Sequence, residues 1–147
     1  MSDSPDANVS VETTAADLTL AIGMIFRRLR QEASAGGLSL SQVAALARLE
    51  TAGSMTIADL ARADAVKPQS MGATIAYLEQ EGLVQRRPHP TDGRQVLFAL
   101  TDAGVAARRE RTLAKREWLE TAMARLDPGE RQTLISAAAL IKRLAET

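Results

Sequence analysis

The side chains with most chemical potential fall in one stretch, from Lys67 to Arg94. It holds Gln69 and Ser70, then the neighbours Arg86 and Arg87, then His89, then Asp92-x-Arg94. This is equipment for gripping a polyanion. Guanidinium forks match phosphate oxygens and guanine edges, and a glutamine amide can pair bidentately with adenine. Bond-making chemistry has little to work with. The 147 residues contain one His and no Cys, and they show neither a Gly-rich phosphate loop nor a Ser-centred elbow. Without cysteine there are no disulfides, thiolate nucleophiles, Cys-type zinc sites or thiol redox sensing. The reading is therefore no enzyme, no metal and no cofactor. His89 reads as an exposed loop residue that could add a contact, rather than as a ligand or general base.

These residues need elements to position them. Leu18, Ile22, Ile25, Phe26 and Leu29 recur with helical spacing, and Thr14 with Asp17 offers a cap, so a first helix of about twenty residues is expected to end before Gly36-Gly37. Ser39 and Gln42 form a capping box for a second helix whose apolar side is Val43, Leu46 and Leu49, stopping at Gly53. Thr56 and Asp59 cap a brief third helix with Ile57, Leu60 and Ala61 inward, ending near Ala65. Pro68, best tolerated in a first turn, opens a fourth helix that buries Met71, Ile75 and Leu78 and stops at Gly82. Two β-rich stretches, Leu83 to Arg87 and Gln95 to Leu100, flank His89-Pro90-Thr91-Asp92-Gly93 and read as a hairpin. A long helix follows from Thr101, with Val105, Leu113, Leu119, Met123 and Leu126 near one face. Asp127-Pro128-Gly129-Glu130 ends it and caps a last helix carrying Leu134, Ile141 and Leu144.

The order predicts a mainly α fold with a small β-hairpin wing. A short helix, a tight turn and a second helix followed by a two-stranded wing is the arrangement that lets one helix enter a major groove while the hairpin touches the flank. Residues 1–14 read as a disordered acidic tail and residues 15–147 as one winged-helix domain, with the DNA-binding winged part at 38–101 between helices at 15–37 and 102–147. The net charge of zero conceals an asymmetry. Setting aside Asp3, Asp6, Glu12 and Asp17 leaves eighteen basic and fourteen acidic side chains over residues 18–147. A mildly basic body permits a nucleic-acid partner without requiring one. The opening residues lack the basic-then-apolar pattern of an export signal, and no apolar run approaches the roughly twenty residues of a membrane span. A cytoplasmic, membrane-free protein is expected.

Asp92-x-Arg94 is followed after five residues by Leu100-Thr101-x-x-Gly104, and upstream stands Leu78-Glu79-x-x-Gly82-Leu83-Val84-x-Arg86. In these two motifs, correctly spaced, the chain resembles the MarR family of winged-helix regulators across nearly its whole folded region. The resemblance implies a winged helix-turn-helix homodimer whose first and last helices interdigitate with the partner's. The apolar stripes of those helices agree, since a lone small domain would struggle to cover them. It also implies a double-stranded DNA target, an inverted repeat over a promoter, and repression relieved by a small aromatic or phenolic effector. Phe26, Leu29, Leu49 and Met123 are the candidates to line an effector cleft; each is equally well explained as core.

On the fourth helix, Gln69 is expected to read a base, Ser70 a base or phosphate, and Thr74 a phosphate, while Gly72 and Ala73 permit close approach. Lys67 departs from the family pattern, in which a Ser or Thr often precedes the proline, and Ala73 stands where an arginine is common. Lys67 can attract phosphate but cannot cap through an oxygen, so base readout by this helix is expected to be thin and the wing and DNA shape to supply more. Arg94 is expected to enter the minor groove, its guanidinium held by Asp92. Arg86 and Arg87 read either as phosphate contacts or as an edge strand charged against aggregation. Arg108, Arg109, Arg111, Lys115 and Arg116 read as a solvated face, with a secondary phosphate surface as the sharper alternative, and Trp118 reads as a packing anchor. A winged module that binds protein instead of DNA stays open.

Overall fold

The helix boundaries follow from caps and stops written into the chain. In the computed structural model, which describes residues 10–34 and 37–147, the elements are α1 (Val11–Ala33), α2 (Leu40–Ala52), α3 (Ile57–Ala63), α4 (Pro68–Gln80), β1 (Val84–Pro88), β2 (Val96–Leu100), α5 (Asp102–Ala124) and α6 (Pro128–Ala145). Ser39 and Gln42 close a full capping box on α2, and Asp127 and Glu130 close another on α6. Thr56 accepts from the Asp59 amide, while the Asp59 carboxylate turns to Arg62 instead of back to the cap.

The first helix corrects the sequence reading. It starts at Val11, and Ser10, not Thr14, supplies the cap by accepting from the Thr13 amide at 3.0 Å. Glu12, which falls within the expected tail, therefore lies on α1, as does Asp17. Asp3, Asp6 and Gly36 lie outside the described residues.

Two compact units result. One takes α1 as far as Glu32 together with the chain from Ala114 to Thr147; the other is Ala33–Leu113. The second unit has a closed core of Ala45, Leu46, Leu49, Leu60, Ala61, Met71, Ile75, Leu78, Val84 and Phe98. Sequence periodicity placed most of these inward, and helices α2 to α4 deliver them to one centre. Arg48 fixes the turn between α3 and α4 from outside, with Nε 2.6 Å from the Asp64 carboxylate and Nη2 donating to the Ala63 carbonyl. The turn itself needs a left-handed residue, which here is Ala65.

The hairpin pairs antiparallel from Val84 opposite Leu100 to Pro88 opposite Val96. Met55 adds a bridge on the other side of Phe98, exchanging both backbone hydrogen bonds with it. Strand β2 is thus held along both edges at its buried end.

The other unit is built differently. Arg28 lies 5.4 Å above the Trp118 ring and pairs with Glu32, which ties α1 to the later part of α5. Yet α1 exposes Leu20, Met24, Ile25 and Phe26, and no residue of α6 is buried. Among the described residues no helix is long and apolar enough to cross a membrane.

Candidate nucleic-acid interface

Helix α4 turns Met71, Ile75 and Leu78 into the core, and this decides which residues face outward. Gln69, Ser70 and Ala73 are exposed, with Gly72 and Thr74 half-buried beside them. Lys67 is the N-cap residue and makes no side-chain cap bond; Pro68 fills the first turn, where its missing N–H costs nothing. The Thr74 hydroxyl donates to the Ser70 carbonyl one turn back, a bond with which the expected phosphate contact would have to compete. Nothing in the fold demands glycine at position 72: a Cβ there would meet open space. The outward surface of the first turns of α4 is small, neutral and amide-bearing.

The passage from α4 to the wing explains the two motifs residue by residue. Gly82 takes a positive φ of 74° to end the helix, and Leu78 and Val84 on either side enter the core. Glu79 reaches across the turn to Arg86, with oxygens 2.8 Å from Nε and 3.2 Å from Nη2. The hydrogen-bonded guanidinium holds the Glu79 carboxyl below its usual value, and the carboxylate in turn raises Arg86. Arg86 also stacks over Phe98 at 5.7 Å. Its first use is therefore to strap the wing to α4, where the sequence suggested phosphate binding. Thr101 closes the base of the wing, donating to the Gly82 carbonyl and accepting from the Gly104 amide at 3.0 Å. Gly104 must lack a side chain, because a Cβ there would run into the Leu83 carbonyl oxygen.

At the tip, Asp92 does more than was expected of it. Its Oδ1 accepts from the Arg94 backbone amide at 3.0 Å, its Oδ2 from the Gln95 side-chain amide at 3.2 Å, and its carbonyl from the Gln95 amide at 3.1 Å. The Arg94 guanidinium is only 3.5 Å away through Nε, at the long limit of a hydrogen bond. Asp92 is thus chiefly a turn builder and only weakly a clamp. The Arg94 backbone amide bond is the main reason its carboxyl titrates below the ordinary value, with Gln95, Arg94 and His89 adding to it. Because its folded pKa is depressed, this stabilisation is complete at neutral pH and is lost only as pH falls through the carboxylate range. The outcome is a guanidinium with 94% of its side chain exposed on a built turn. Arg87 is exposed on β1, and like Lys67 it meets no acid among the described residues.

Two other sets of residues land elsewhere. Of the effector candidates, Leu49 is 1% exposed and packed in the winged core. Phe26, by contrast, is 56% exposed on α1, and Leu29 and Met123 are half-buried. The arginine run of α5 is not one solvated face. Arg108 pairs with Glu50 of α2 at 2.6 Å, and Arg111 has Nε and Nη1 shielded from water with no hydrogen-bond partner among the described residues. Burial first, and Arg108 second, lower the Arg111 pKa.

Sequence reasoning missed the Glu79–Arg86 strap, the Met55 bridge and the part played by His89, whose Nδ1 accepts from the Asp92 amide at 3.0 Å.

Residues 38–96 match the MarR family profile. The chain is 41% identical over 132 residues to the HTH-type transcriptional regulator MT0903.1 of Mycobacterium tuberculosis, covering 90% of this chain and 92% of that protein. It is 27% identical to the HTH-type transcriptional repressor NicR of Pseudomonas putida, over 88% of this chain and 87% of that one. The crystal structure of RV1404 from Mycobacterium tuberculosis superposes with a TM-score of 0.80 at 25% identity, covering 95% of this chain and 97% of that chain.

Proposed function

The chain belongs to the MarR family and is a DNA-binding transcriptional regulator rather than an enzyme, and from that premise we propose that it is a homodimeric, ligand-released repressor. The observation that carries the reading is the wing tip. An exposed Arg94 stands on a turn built by Asp92, in the same unit as an α4 whose inner face is locked in the core. Arg94 enters the minor groove, Gln69 and Ser70 meet base edges, and Gly72 lets the helix come close. Lys67 and Arg87 neutralise phosphates. Asp92 and Arg86 act by holding the wing, and Thr74 supports α4.

The homodimer rests on apolar surface. Leu20, Met24, Ile25 and Phe26 of α1 and Ile135, Leu140 and Leu144 of α6 are all exposed in one chain, an amount of apolar side chain that calls for a cover. A second copy supplies the same stripes with two-fold symmetry, and a two-fold protein reads an inverted repeat over a promoter. Replacing Leu140 and Phe26 together by Asp should turn a dimer into a monomer in sedimentation, with the winged unit still folded. A wild-type protein that sediments as a monomer would refute the dimer.

The name of NicR supports repression as the outcome. The effector is a small aromatic or phenolic molecule that Phe26, Leu29 and Met123 help to bind, and the regulator works in the cytoplasm, where the chromosome is. Binding shifts the dimer toward a spacing of the two α4 helices that misses successive major grooves. Phenol and benzoate are suitable first probes. Each should release bound operator at millimolar concentration, with a change in the fluorescence of Trp118, the chain's only tryptophan.

A further inference from the structure

The wing tip depends on a residue that lies outside the two motifs. His89 begins the loop, is half-buried, and points its Nδ1 at the loop backbone. That nitrogen accepts from the Asp92 amide at 3.0 Å and from the Thr91 amide at 3.3 Å, with the Thr91 hydroxyl 3.4 Å away. Asp92 in turn places the Arg94 amide. The order of support therefore runs from His89 through Asp92 to Arg94.

We propose that His89 is the positioning residue of the DNA-contacting wing, that it acts only with Nδ1 unprotonated, and that protonating it releases the turn and weakens specific DNA binding. The chemistry is simple. A neutral imidazole can present one nitrogen as acceptor, whereas an imidazolium has only donors. A protonated Nδ1 would face two backbone N–H groups, both donors, and the contact would become repulsive.

The charged side chains of this hairpin are Arg86 and Arg87 on β1 and Asp92 and Arg94 in the loop, and every hydrogen-bonding neighbour of the ring lies in the loop itself. Arg86 is occupied by Glu79. Asp92 is the group that would attract an imidazolium, and a ring that swung to its carboxylate would compete with the Arg94 amide for Oδ1. Both routes undo the same turn. The added positive charge would by itself favour any phosphate backbone, so acid should raise non-specific binding while specific binding falls.

This inference rests on the reading of Arg94 as a DNA contact, and the experiment separates the two. His89 is the chain's only histidine, so a pH effect present in wild type and absent from H89N is assigned to its ring. The probe is a duplex selected from a random-sequence library by the full-length wild-type protein at pH 7.5, and affinities are measured at pH 7.5 and pH 5.5 at fixed salt. Wild type should weaken about three- to tenfold on acidification, the effect of losing one or two ordinary hydrogen bonds. H89A should be weak at both values. H89N keeps an acceptor near the Nδ1 position without titrating, so it should recover most of what H89A loses and hold it at pH 5.5. In the free protein, the Asp92 amide signal in NMR should titrate in wild type and stay fixed in H89N.

A pH profile shared by wild type and H89N, with R94A clearly weakened, would overturn the role of His89 alone. H89A binding as tightly as wild type at pH 7.5 would do the same. R94A binding as tightly as wild type would bring down the wing contact and this inference with it.

Discussion

The two outward surfaces of the winged unit are opposite in kind. The first turns of helix α4 present an amide, a hydroxyl and two very small residues, with Lys67 at the N-cap as their one charge, and they are held from behind by Met71, Ile75 and Leu78. The wing presents arginines, and its shape is set by polar bonds in front: Asp92 to Arg94 and Gln95, His89 to Asp92, Glu79 to Arg86. Packing fixes the first and hydrogen bonding the second. The proposed function divides the labour of DNA recognition along this line, with most of the salt-dependent affinity assigned to the wing and to Lys67, and the salt-independent discrimination to the outward residues of the helix.

That division can be broken most severely at Gly104. G104A should drive a methyl into the Leu83 carbonyl, destabilise the winged unit by about 3 kcal/mol in urea unfolding, and abolish DNA binding. An unchanged unfolding midpoint would mean that the wing does not depend on this joint. A cleaner cut on the helix side is Q69A, expected to cost about 1–3 kcal/mol at the cognate site and to relax preference at one base pair, with no change in salt dependence. If instead the salt slope falls and base preference stays, Gln69 is a backbone contact and the helix reads less than assigned.

K67S exchanges a charge for a cap. The new hydroxyl should stabilise α4 by about 1 kcal/mol, seen as a raised midpoint, while the loss of one cation should shallow the salt slope by about one unit. E79Q should have the smallest effect. It loosens the strap on Arg86, so affinity should drop modestly with the salt slope intact, whereas a shallower slope in R86A would return Arg86 to the phosphate contacts.

Much of this architecture was legible because its signals are local. The Ser39–Gln42 and Asp127–Glu130 capping boxes, Pro68 at a helix start and the inward set Met71, Ile75 and Leu78 each depend on residues within a few positions of one another. The motif residues were visible too, but not their reasons. That Glu79 strapped Arg86, or that Gly104 cleared a carbonyl of Leu83, depends on how the chain folds back on itself, which spacing does not encode. Ser10 is not legible as the cap, because Thr14 can cap equally well and a polar run offers no apolar contrast to mark where the helix starts. Leu49 suits core and cleft equally in the sequence, and its 1% exposure places it in the core of the ligand-free chain. The role of His89 is not legible in the sequence, because a lone histidine in a turn has no sequence partner; its partners are backbone amides.

The central claim is that Arg94, standing on its built turn, is a charge the protein places on DNA. Affinity for a selected duplex should be measured across a series of salt concentrations for wild type and R94A. Wild type should weaken steeply with salt, and R94A should bind about tenfold or more weakly at low salt with a slope shallower by about one unit. Coincident lines for the two proteins, or a wild-type affinity indifferent to salt, would contradict the account and favour a winged module whose partner is another protein.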